Sequence, residues 1–319
     1  MTLSWGIAAT GRIARTVGQL IADHPDMRVA AVGSRRAERA TALAADLGAA
    51  RAHPSYEELV ADPDVDVVYV ATPHAMHAEV VELAVAAGRP VLCEKPLTHS
   101  LAETERLVTV ARDAGVFLME AMWTRFNPLV QQLADLVQAG ELGEVRSIHA
   151  AFGFPAPDDP THRLWDPALG GGALLDIGIY PVDFARLLLG TPARLQVTGS
   201  LAPTGVDADA GLLLSWANGA RALLDCSLTA RLPSVATVSG TDGWAELGPA
   251  FHAPTSLVLA RGDGMARELA VADRSAGYVG ELDEVARCLA LGLTESSVMP
   301  LSESLATMTL LHQARRLLS

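Results

Sequence analysis

One stretch of the chain decides its fold: VDVVYVA at Val65–Ala71. This nearly continuous β-branched run is typical of a strand that is buried on both faces of a parallel sheet. Helical patterns flank it at Tyr56–Ala61 and Ala78–Ala87, and the next apolar run begins at Val91. The spacing predicts a right-handed, doubly wound parallel sheet of the α/β class.

The same alternation of strand and helix covers the first third of the chain. The other strands predicted there are Trp5–Ala9, Met27–Val32, Val91–Cys93 and Val116–Met119. The other predicted helices are Ile13–Asp23, Arg36–Leu47 and Leu101–Ala114.

The chain after residue 122 has a different pattern, in which strands follow one another through short turns. Asn218–Gly219 is a strong signal for a hairpin turn. We therefore predict two domains, an α/β domain over 1–122 and an α+β domain over 123–319 with a large, mostly antiparallel open sheet. Helices are predicted at Asn127–Ala139, Asp176–Leu189, Val279–Leu291 and Ser302–Leu318, and strands at Glu144–Phe154, Ala193–Leu201, Ala210–Trp216, Ala220–Thr229, Ser234–Ser239, Trp244–Leu247 and Ser256–Ala260. Alternating apolar positions indicate that a second subunit covers the open face, so we expect a homodimer.

Composition excludes several classes of function. The 319 residues carry a formal net charge of −13, which argues against partners such as nucleic acid and anionic membrane surfaces. The N-terminal residues lack a basic and apolar leader pattern, and no apolar run reaches the length of a membrane span. The cysteines Cys93, Cys226 and Cys288 are odd in number and lack metal-type spacing. We expect reduced thiols in a cytoplasmic protein.

A lysine stands at the end of the predicted strand that opens VLCEKPL at Val91–Leu97. The carboxyl ends of strands in an open parallel sheet are where such sheets bind ligands. Pro96 keeps Lys95 out of the α region, so the lysine is expected to be extended toward that crevice, with Glu94 beside it. A chance surface turn is the alternative for this short motif.

The first turn between strand and helix is ATGRIA, residues Ala9, Thr10, Gly11, Arg12, Ile13 and Ala14. It stands where the G-x-G-x-x-G fingerprint of a Rossmann domain binds a dinucleotide pyrophosphate at a helix N-terminus. Only the middle glycine, Gly11, is retained, and it is the one that lets the backbone approach the pyrophosphate. We predict a Rossmann nucleotide-binding domain with this altered fingerprint.

The end of the second strand indicates which dinucleotide binds. An NAD site has an acidic residue here for the ribose hydroxyl groups, whereas this chain has Ser34, Arg35 and Arg36. Guanidinium groups match the geometry of a 2′-phosphate. The alternative, two exposed arginines that merely begin a helix, conflicts with the helix dipole. The sequence predicts NADP as cofactor, with NAD second.

The third strand is followed by Thr72, Pro73, His74 and His77. Two histidines at this spacing could suggest a metal, but the sequence offers no third ligand at matching distance, so we predict no metal site. Hydroxyl, backbone and imidazole groups at this strand end are instead expected to face the ribose and nicotinamide of the cofactor.

Four motifs in order carry a family resemblance: ATPHAMH at 71–77, EKPL at 94–97, MEAMWTRFNP at 119–128 and GGGALLDIGIYP at 170–181. The chain resembles the glucose–fructose oxidoreductase and inositol dehydrogenase (Gfo/Idh/MocA) family, and most of all the branch with dimeric dihydrodiol dehydrogenase and NADP-dependent D-xylose dehydrogenase. The resemblance implies catalytic roles for Lys95, Asp176 and Tyr180.

The chemistry is consistent with those roles. Oxidation of a hydroxyl group by hydride transfer needs a base for its proton, and the ordinary pKa of tyrosine, near 10, is too high at neutral pH. An ammonium group beside the phenol would lower that pKa, so Lys95 and Tyr180 could act together while Asp176 orients the substrate or the lysine. Substrate contacts are predicted for Trp123, Arg125, Arg163 and Trp165.

The predicted function is an NADP-dependent oxidoreductase of a sugar, cyclic polyol or trans-dihydrodiol. Three alternatives stay open: a redox-neutral glycosidase of the same family that uses NAD, a sugar-sensing regulator, and a nucleotide-binding scaffold without turnover.

Overall fold

A computed structural model describes residues 2–262 and 264–318. Within them the chain forms two compact units, here called unit 1 and unit 2. Unit 1 comprises Met1–Met122 and Glu281–Leu305, and unit 2 comprises Trp123–Gly280 and Ala306–Ser319. The functional division into domains 1–122 and 123–319 stays a prediction, and the sequence gives no sign that 281–305 returns to unit 1.

Unit 1 is built on a parallel sheet. Its strands are β1 (Leu3–Ala8), β2 (Met27–Gly33), β3 (Arg51–His53), β4 (Val67–Val70), β5 (Val91–Glu94) and β6 (Leu118–Ala121). Its helices are α1 (Arg12–Asp23), α2 (Ala37–Asp46), α3 (Tyr56–Ala61), α4 (His77–Ala86) and α5 (Leu101–Ala114). In the described part of the chain the strand order is β3-β2-β1-β4-β5-β6, which confirms the doubly wound Rossmann sheet. β3 was not predicted, and β6 lies two residues later than expected.

The central strands of this sheet are apolar because they are covered on both faces. Every residue of β4 and β5 is buried, and the side chains of α4 and α5 pack against them. Local signals set the helix bounds: Ser100 caps α5 through a bond from the Glu103 N–H, and Gly115 ends it in the left-handed conformation.

The returning segment 281–305 contributes to unit 1 through specific contacts. Leu301 lies in the hydrophobic core of the sheet, and the Leu118 N–H donates to the Thr294 carbonyl over 3.3 Å. Arg112 on α5 forms an ion pair with Glu295 at 2.8 Å. The edge of the sheet at β6 is therefore completed by residues from near the end of the chain.

Unit 2 contains a larger, mostly antiparallel sheet, as predicted. Its strands are β7 (Val145–Gly153), β8 (Arg194–Leu201), β9 (Asp207–Ser215), β10 (Arg221–Ser227), β11 (Ala236–Gly240), β12 (Gly243–Gly248), β13 (Ser256–Arg261) and β14 (Arg267–Ala270). Among the described residues their order is β14-β13-β12-β11-β7-β10-β9-β8, and only β7 and β10 pair in parallel. The helices are α6 (Pro128–Gln138) and α7 (Ile179–Leu189), and the chain ends with α8 (Ala276–Ala290) and α9 (Leu301–Leu318).

The two faces of this sheet differ in burial. On the β9–β10 hairpin, Leu214 and Leu224 are buried, whereas Leu213 and Leu223, which oppose each other in register, are 38% and 42% exposed. Gly219 has φ +85° in the hairpin turn, as its Asn-Gly sequence predicts. The sheet thus has an open face with apolar side chains on it.

All three cysteines lie in the described residues, where they are buried and free. None of the described helices is both long and apolar enough to cross a membrane.

Candidate active site

The turn between β1 and α1 has the geometry of an anion site. Gly11 is the N-cap residue of α1, and no side chain caps the helix there. A Cβ added to Gly11 would meet no atom within 4 Å, so the backbone is open to a large group. The first N–H groups of a helix have no intrahelical partners and favour an anion.

Ala9 is strained in this turn. Its φ is +128°, a value that side chains with a Cβ rarely adopt. Its N–H donates to the Gly33 carbonyl over 3.1 Å, which ties the turn to the end of β2. Alanine therefore stands at a position whose backbone conformation still favours the missing glycine of the fingerprint.

The end of β2 presents two exposed arginines. Ser34 is buried and its Oγ accepts from the Arg36 N–H over 3.2 Å, while the guanidinium groups of Arg35 and Arg36 extend toward solvent. Arg35 bonds to the phenol of Tyr56; burial raises the pKa of that phenol, and Arg35 opposes the rise. Neither arginine has an ion pair among the described residues. Glu38 is the acid in the first turn of α2.

The turn after β4 is clamped by His77. Its Nε2 lies 2.9 Å from the Thr72 carbonyl oxygen and its Nδ1 lies 2.9 Å from the Pro96 carbonyl oxygen. Burial lowers the pKa of His77, although the carbonyl contacts oppose this. Both ring nitrogens are thus engaged by backbone, and no group of three or more potential metal ligands lies in the described residues.

Thr72 supplies an orphaned group at the same strand end. Its Oγ1 is buried and has no hydrogen-bond partner in the described part of the chain. Pro73 follows in extended conformation, and His74 begins a short 3₁₀ turn. A buried hydroxyl without a partner is costly unless a ligand completes it.

Lys95 follows the end of β5 and is half-buried. Glu94, the last residue of the strand, accepts from the Tyr69 hydroxyl over 2.5 Å. After the cis peptide bond to Pro96, the Leu97 N–H donates to Glu120 Oε1 over 2.9 Å. Carboxylates on two neighbouring strands thus hold the loop that carries Lys95.

Asp176 lies in unit 2 on a π-helical turn, Leu174–Gly178, that leads into α7. Pro181 has no N–H for the carbonyl four residues earlier, which favours the wider turn, and such turns are frequent at functional sites. Asp176 is 6% exposed, and Arg163 Nη1 donates to its Oδ1 over 2.9 Å. The structure therefore brings two predicted site residues together.

Close packing explains why glycine precedes this turn. Gly172 has φ +118°, and a Cβ there would lie 2.5 Å from the carboxylate of Asp207. That carboxylate accepts from the Leu174 N–H over 2.5 Å and so caps the π turn. Burial raises the pKa of Asp207.

Tyr180 lies one turn after Asp176 in an aromatic cluster. It is 6% exposed, and its oxygen accepts from the indole N–H of Trp123 over 3.0 Å. Its ring centroid lies 5.2 Å from that of His252 and 5.9 Å from that of Phe152, and Trp123 stacks on Tyr278 at 3.9 Å. A donor aimed at the phenol oxygen favours the phenolate.

Sequence reasoning missed His252, Phe152 and Tyr278. Phe152 lies on β7 and His252 in the loop after β12, where neither a motif nor a periodicity distinguishes them. Only the fold places Phe152 and His252 beside Tyr180, and Tyr278 against Trp123.

The other predicted substrate residues have contacts of their own. Arg125 is 3% exposed, and its Nε and Nη2 donate to Asp183 over 2.9 and 2.7 Å, an arrangement that favours a structural role. Trp165 is half-buried and its indole N–H donates to the Pro157 carbonyl over 2.7 Å. Their contact with substrate stays a prediction.

Comparison with known proteins identifies the family. Residues 3–122 match the "Oxidoreductase family, NAD-binding Rossmann fold", and residues 130–246 match the "GFO/IDH/MocA C-terminal domain". The chain belongs to the Gfo/Idh/MocA family. The resemblance carried by the four motifs is confirmed, as is the enzyme class, an NAD(P)-dependent dehydrogenase or reductase.

The chain is similar to dihydrodiol dehydrogenases in sequence and to oxidoreductases among solved structures, all of similar length. The trans-1,2-dihydrobenzene-1,2-diol dehydrogenase of Mus musculus is 38% identical, over 99% of this chain and 97% of the relative, and that of Homo sapiens is also 38% identical over the same shares of both chains. Among solved structures, the aldose–aldose oxidoreductase of Caulobacter crescentus has a TM-score of 0.90 at 27% identity, covering 99% of this chain and 97% of that one. The 3-ketoreductase of Actinomadura kijaniata, solved with NADP and TDP-benzene, has a TM-score of 0.86 at 29% identity, over 99% and 98%.

Unit 1 fits the nicotinamide dinucleotide that this family implies. The open backbone at Gly11 and the uncapped start of α1 suit a pyrophosphate. The buried Oγ1 of Thr72 suits a polar group of the ligand at the end of β4.

Proposed function

We propose that the protein is an NADP-dependent oxidoreductase that interconverts a hydroxyl and a carbonyl group on a trans-dihydrodiol, sugar or cyclic polyol. The observation that carries this proposal is the buried phenol of Tyr180, whose oxygen receives the Trp123 N–H one turn from Asp176. A phenol in that state suits proton transfer to and from a hydroxyl group.

Each catalytic residue has one part in the proposal. The nicotinamide, when bound, accepts or supplies the hydride. The Trp123 N–H stabilises the phenolate form of Tyr180, which takes the proton of the substrate hydroxyl and becomes the neutral phenol. Asp176, oriented by Arg163, accepts a hydrogen bond from a substrate hydroxyl. The ammonium group of Lys95 stabilises the negative charge that develops on the reacting oxygen.

The proposed cofactor contacts follow the strand ends of unit 1. Arg35 and Arg36, with Ser34, bind the 2′-phosphate of NADP, since neither guanidinium has an ion pair within the described residues. The NADP in the 3-ketoreductase structure supports this choice over NAD. The remaining proposed cofactor contacts are Ala9, Thr10, Gly11, Arg12 and Ile13 at the pyrophosphate, and Thr72, Pro73, His74, His77, Glu94 and Lys95 toward the ribose and nicotinamide.

The substrate class is taken first from the relatives that are 38% identical, which are named for a trans-dihydrodiol. Trp123, Trp165 and Arg163 are the proposed substrate contacts, because tryptophan faces stack on flat rings and arginine binds hydroxyl groups. A panel of trans-dihydrodiols, aldoses, inositols and lactones, followed by the absorbance of reduced nicotinamide, identifies the substrate. No turnover on any of them would favour a nucleotide-binding scaffold instead.

The catalytic part is tested by Tyr180→Phe on the substrate so found. Loss of a general acid–base predicts a fall in kcat on the order of 10²–10⁴-fold, with NADP affinity almost unchanged. Lys95→Met should cost at least as much, and the double variant should fall far short of the product of the two losses. Tyr278→Phe is the matched control, because it removes a phenol oxygen but keeps the ring that stacks on Trp123. A Tyr180→Phe enzyme with more than about a tenth of the parental kcat would refute the role of the phenol.

We also propose a homodimer formed through the open sheet face, on which Leu201, Leu213 and Leu223 are exposed. Light scattering that finds only a 33.5 kDa species at micromolar concentration would contradict it. A cytoplasmic location is the remaining proposal, supported by three buried free thiols, and it is checked by fractionation of the source cells.

A further inference from the structure

A glutamate that the proposed reaction does not use is completely buried in unit 1. Glu281 is 0% exposed, and neither of its carboxylate oxygens has a hydrogen-bond partner among the described residues. It is the first residue of the segment that returns to unit 1 near the end of the chain. A buried carboxyl group without a partner is among the most costly arrangements a protein can hold, so it calls for a physical explanation.

The charged neighbour of Glu281 is another acid. Burial raises the pKa of Glu281 well above its ordinary value, and the negative charge of Glu94 raises it further. Glu94 is the residue before Lys95, and it accepts from the Tyr69 hydroxyl. The segment from near the end of the chain thus places a buried carboxyl group within electrostatic reach of the residue next to the proposed catalytic lysine.

Within the part of the chain that the structure describes, the carboxylate oxygens of Glu281 have no hydrogen-bond partner, and the charge that acts on them is the negative one of Glu94. Burial raises the pKa of Cys93, and the negative charges of Glu120 on β6 and Glu94 on β5 raise it further, which places both acids in the same region. Lys95 acts electrostatically on His77 on α4. Two neighbouring carboxylates in a dry interior cannot both ionise at small cost, so one of them has to hold a proton.

We propose that Glu281 is held as a neutral carboxylic acid and is a positioning residue for Glu94 and, through it, for Lys95. Because Glu281 carries the proton, Glu94 is the anion of the pair, accepts from Tyr69 and fixes the strand end from which Lys95 extends. Ionisation of Glu281 at alkaline pH puts a second negative charge beside Glu94 and displaces that strand end. The kinetic consequence rests on the proposed function, whereas the protonation state of Glu281 does not.

The helix itself supplies a matched control. Glu284 lies one turn further along α8 and is bonded to Arg287 at 2.7 Å and to Ser296 at 2.5 Å. Those bonds lower the pKa of Glu284, so it is an anion at neutral pH, where Glu281 keeps its proton. Glu281→Gln and Glu284→Gln make the same chemical change on the same helix in opposite environments.

The test compares the pH dependence of kcat and KM in the parent, Glu281→Gln and Glu284→Gln. The amide reproduces the shape and charge of the neutral acid, so Glu281→Gln should have a kcat within about threefold of the parent at neutral pH. At alkaline pH the parent should lose kcat earlier than Glu281→Gln, because only the parent gains the second charge. In Glu284→Gln, kcat should fall at alkaline pH in the same way as in the parent. A tenfold or greater loss of kcat at neutral pH in Glu281→Gln, or an alkaline limb identical to the parental one, would overturn the positioning role.

A measurement without turnover separates this proposal from the proposed function. The infrared spectrum of the parent at neutral pH should contain the carbonyl band of a protonated carboxylic acid, which disappears in Glu281→Gln and persists in Glu284→Gln. If Glu281→Gln does not fold, the parental spectrum still decides, since absence of that band at neutral pH refutes a neutral Glu281. Presence of the band together with an inactive parent would refute the proposed function alone.

Discussion

Two arginines of unit 2 and two of unit 1 differ in the partners they have. In unit 2, Arg125 and Arg163 each bind an aspartate, Asp183 and Asp176, over 2.7 and 2.9 Å. In unit 1, Arg35 and Arg36 follow a strand end and have no ion pair within the described residues, 2–262 and 264–318.

This difference distinguishes arginines that stabilise the fold through an ion pair from arginines that are available to bind a ligand. Arg125 and Asp183 are 3% and 2% exposed at their side chains, so each compensates the other in a dry interior. Arg163 is intermediate, because its side chain is 47% exposed while Asp176 is buried. Exposed guanidinium groups beside the start of a helix, with no acid bound to them, are suited to a phosphate.

The largest effect on stability is expected from Asp183→Asn. It leaves the buried Arg125 charge without compensation, and removal of one partner of such a pair costs about 3–5 kcal/mol. Thr307 also contacts Asp183, at 3.4 Å, so its hydroxyl loses a strong acceptor as well. The free energy of unfolding in urea measures the loss.

Asp176→Asn is the control for that variant, since its partner Arg163 is half-exposed. An ion pair whose arginine is open to solvent contributes less than a fully buried pair, so stability should change much less than in Asp183→Asn while kcat falls. If the two aspartate variants lose equal stability, the buried Arg125 pair does not stabilise the fold more than the half-exposed Arg163 pair.

The next effect concerns cofactor choice in unit 1. Arg35→Met and Arg36→Met should each weaken NADP by about 1–3 kcal/mol, because each removes a charge-assisted contact, and should leave NAD binding almost unchanged. Arg39→Met is the matched control, as Arg39 is an exposed arginine three residues after Arg36, inside the same helix. Titration calorimetry with both dinucleotides gives the comparison. Tighter binding of NAD than of NADP by the parent would count against the proposal that Arg35 and Arg36 bind the 2′-phosphate.

Much of unit 1 could be predicted because its signals are local. The β-branched run at Val65–Ala71 and the apolar run before Lys95 identify the central strands, which are apolar since every residue in them is buried. Asp176 and Tyr180 could be predicted for a similar reason, since a short motif with adjacent glycines contains both. Glycines are required there because Gly172 passes close to Asp207.

What the sequence did not predict depends on contacts between distant residues. Glu281 lies in an ordinary amphipathic helix, and nothing local distinguishes it from the paired Glu284. His252 likewise gains its place beside Tyr180 from the sheet alone. The π turn that carries Asp176 was predicted as plain α-helix, because the effect of a proline near a helix start depends on its surroundings.

The smallest effect tests the strained turn that precedes the arginine-bearing strand end. Ala9 and Ala14 both stand where the fingerprint has glycine, yet Ala9 has φ +128° and Ala14 lies inside α1. Strain of this kind costs about 1–3 kcal/mol, whereas the added freedom of glycine in the unfolded chain costs about 0.4–1 kcal/mol. Ala9→Gly should therefore stabilise unit 1 by about 1 kcal/mol, while Ala14→Gly should destabilise it by about 0.5–1 kcal/mol, as glycine does inside a helix.

The stability changes are measured as shifts of the urea midpoint. A gain in Ala9→Gly together with a loss in Ala14→Gly would show that the turn is strained at Ala9 only. NADP titration of the same variants sharpens the comparison between the units, because a relaxed turn next to arginines without an ion pair should bind the dinucleotide at least as tightly as the parent. Destabilisation by Ala9→Gly would mean that the surrounding contacts, such as the bond from its N–H to the Gly33 carbonyl, compensate the strain fully. In that case Ala9 is part of the rigid structure, as Arg125 is in unit 2, and the altered fingerprint carries no cost in stability.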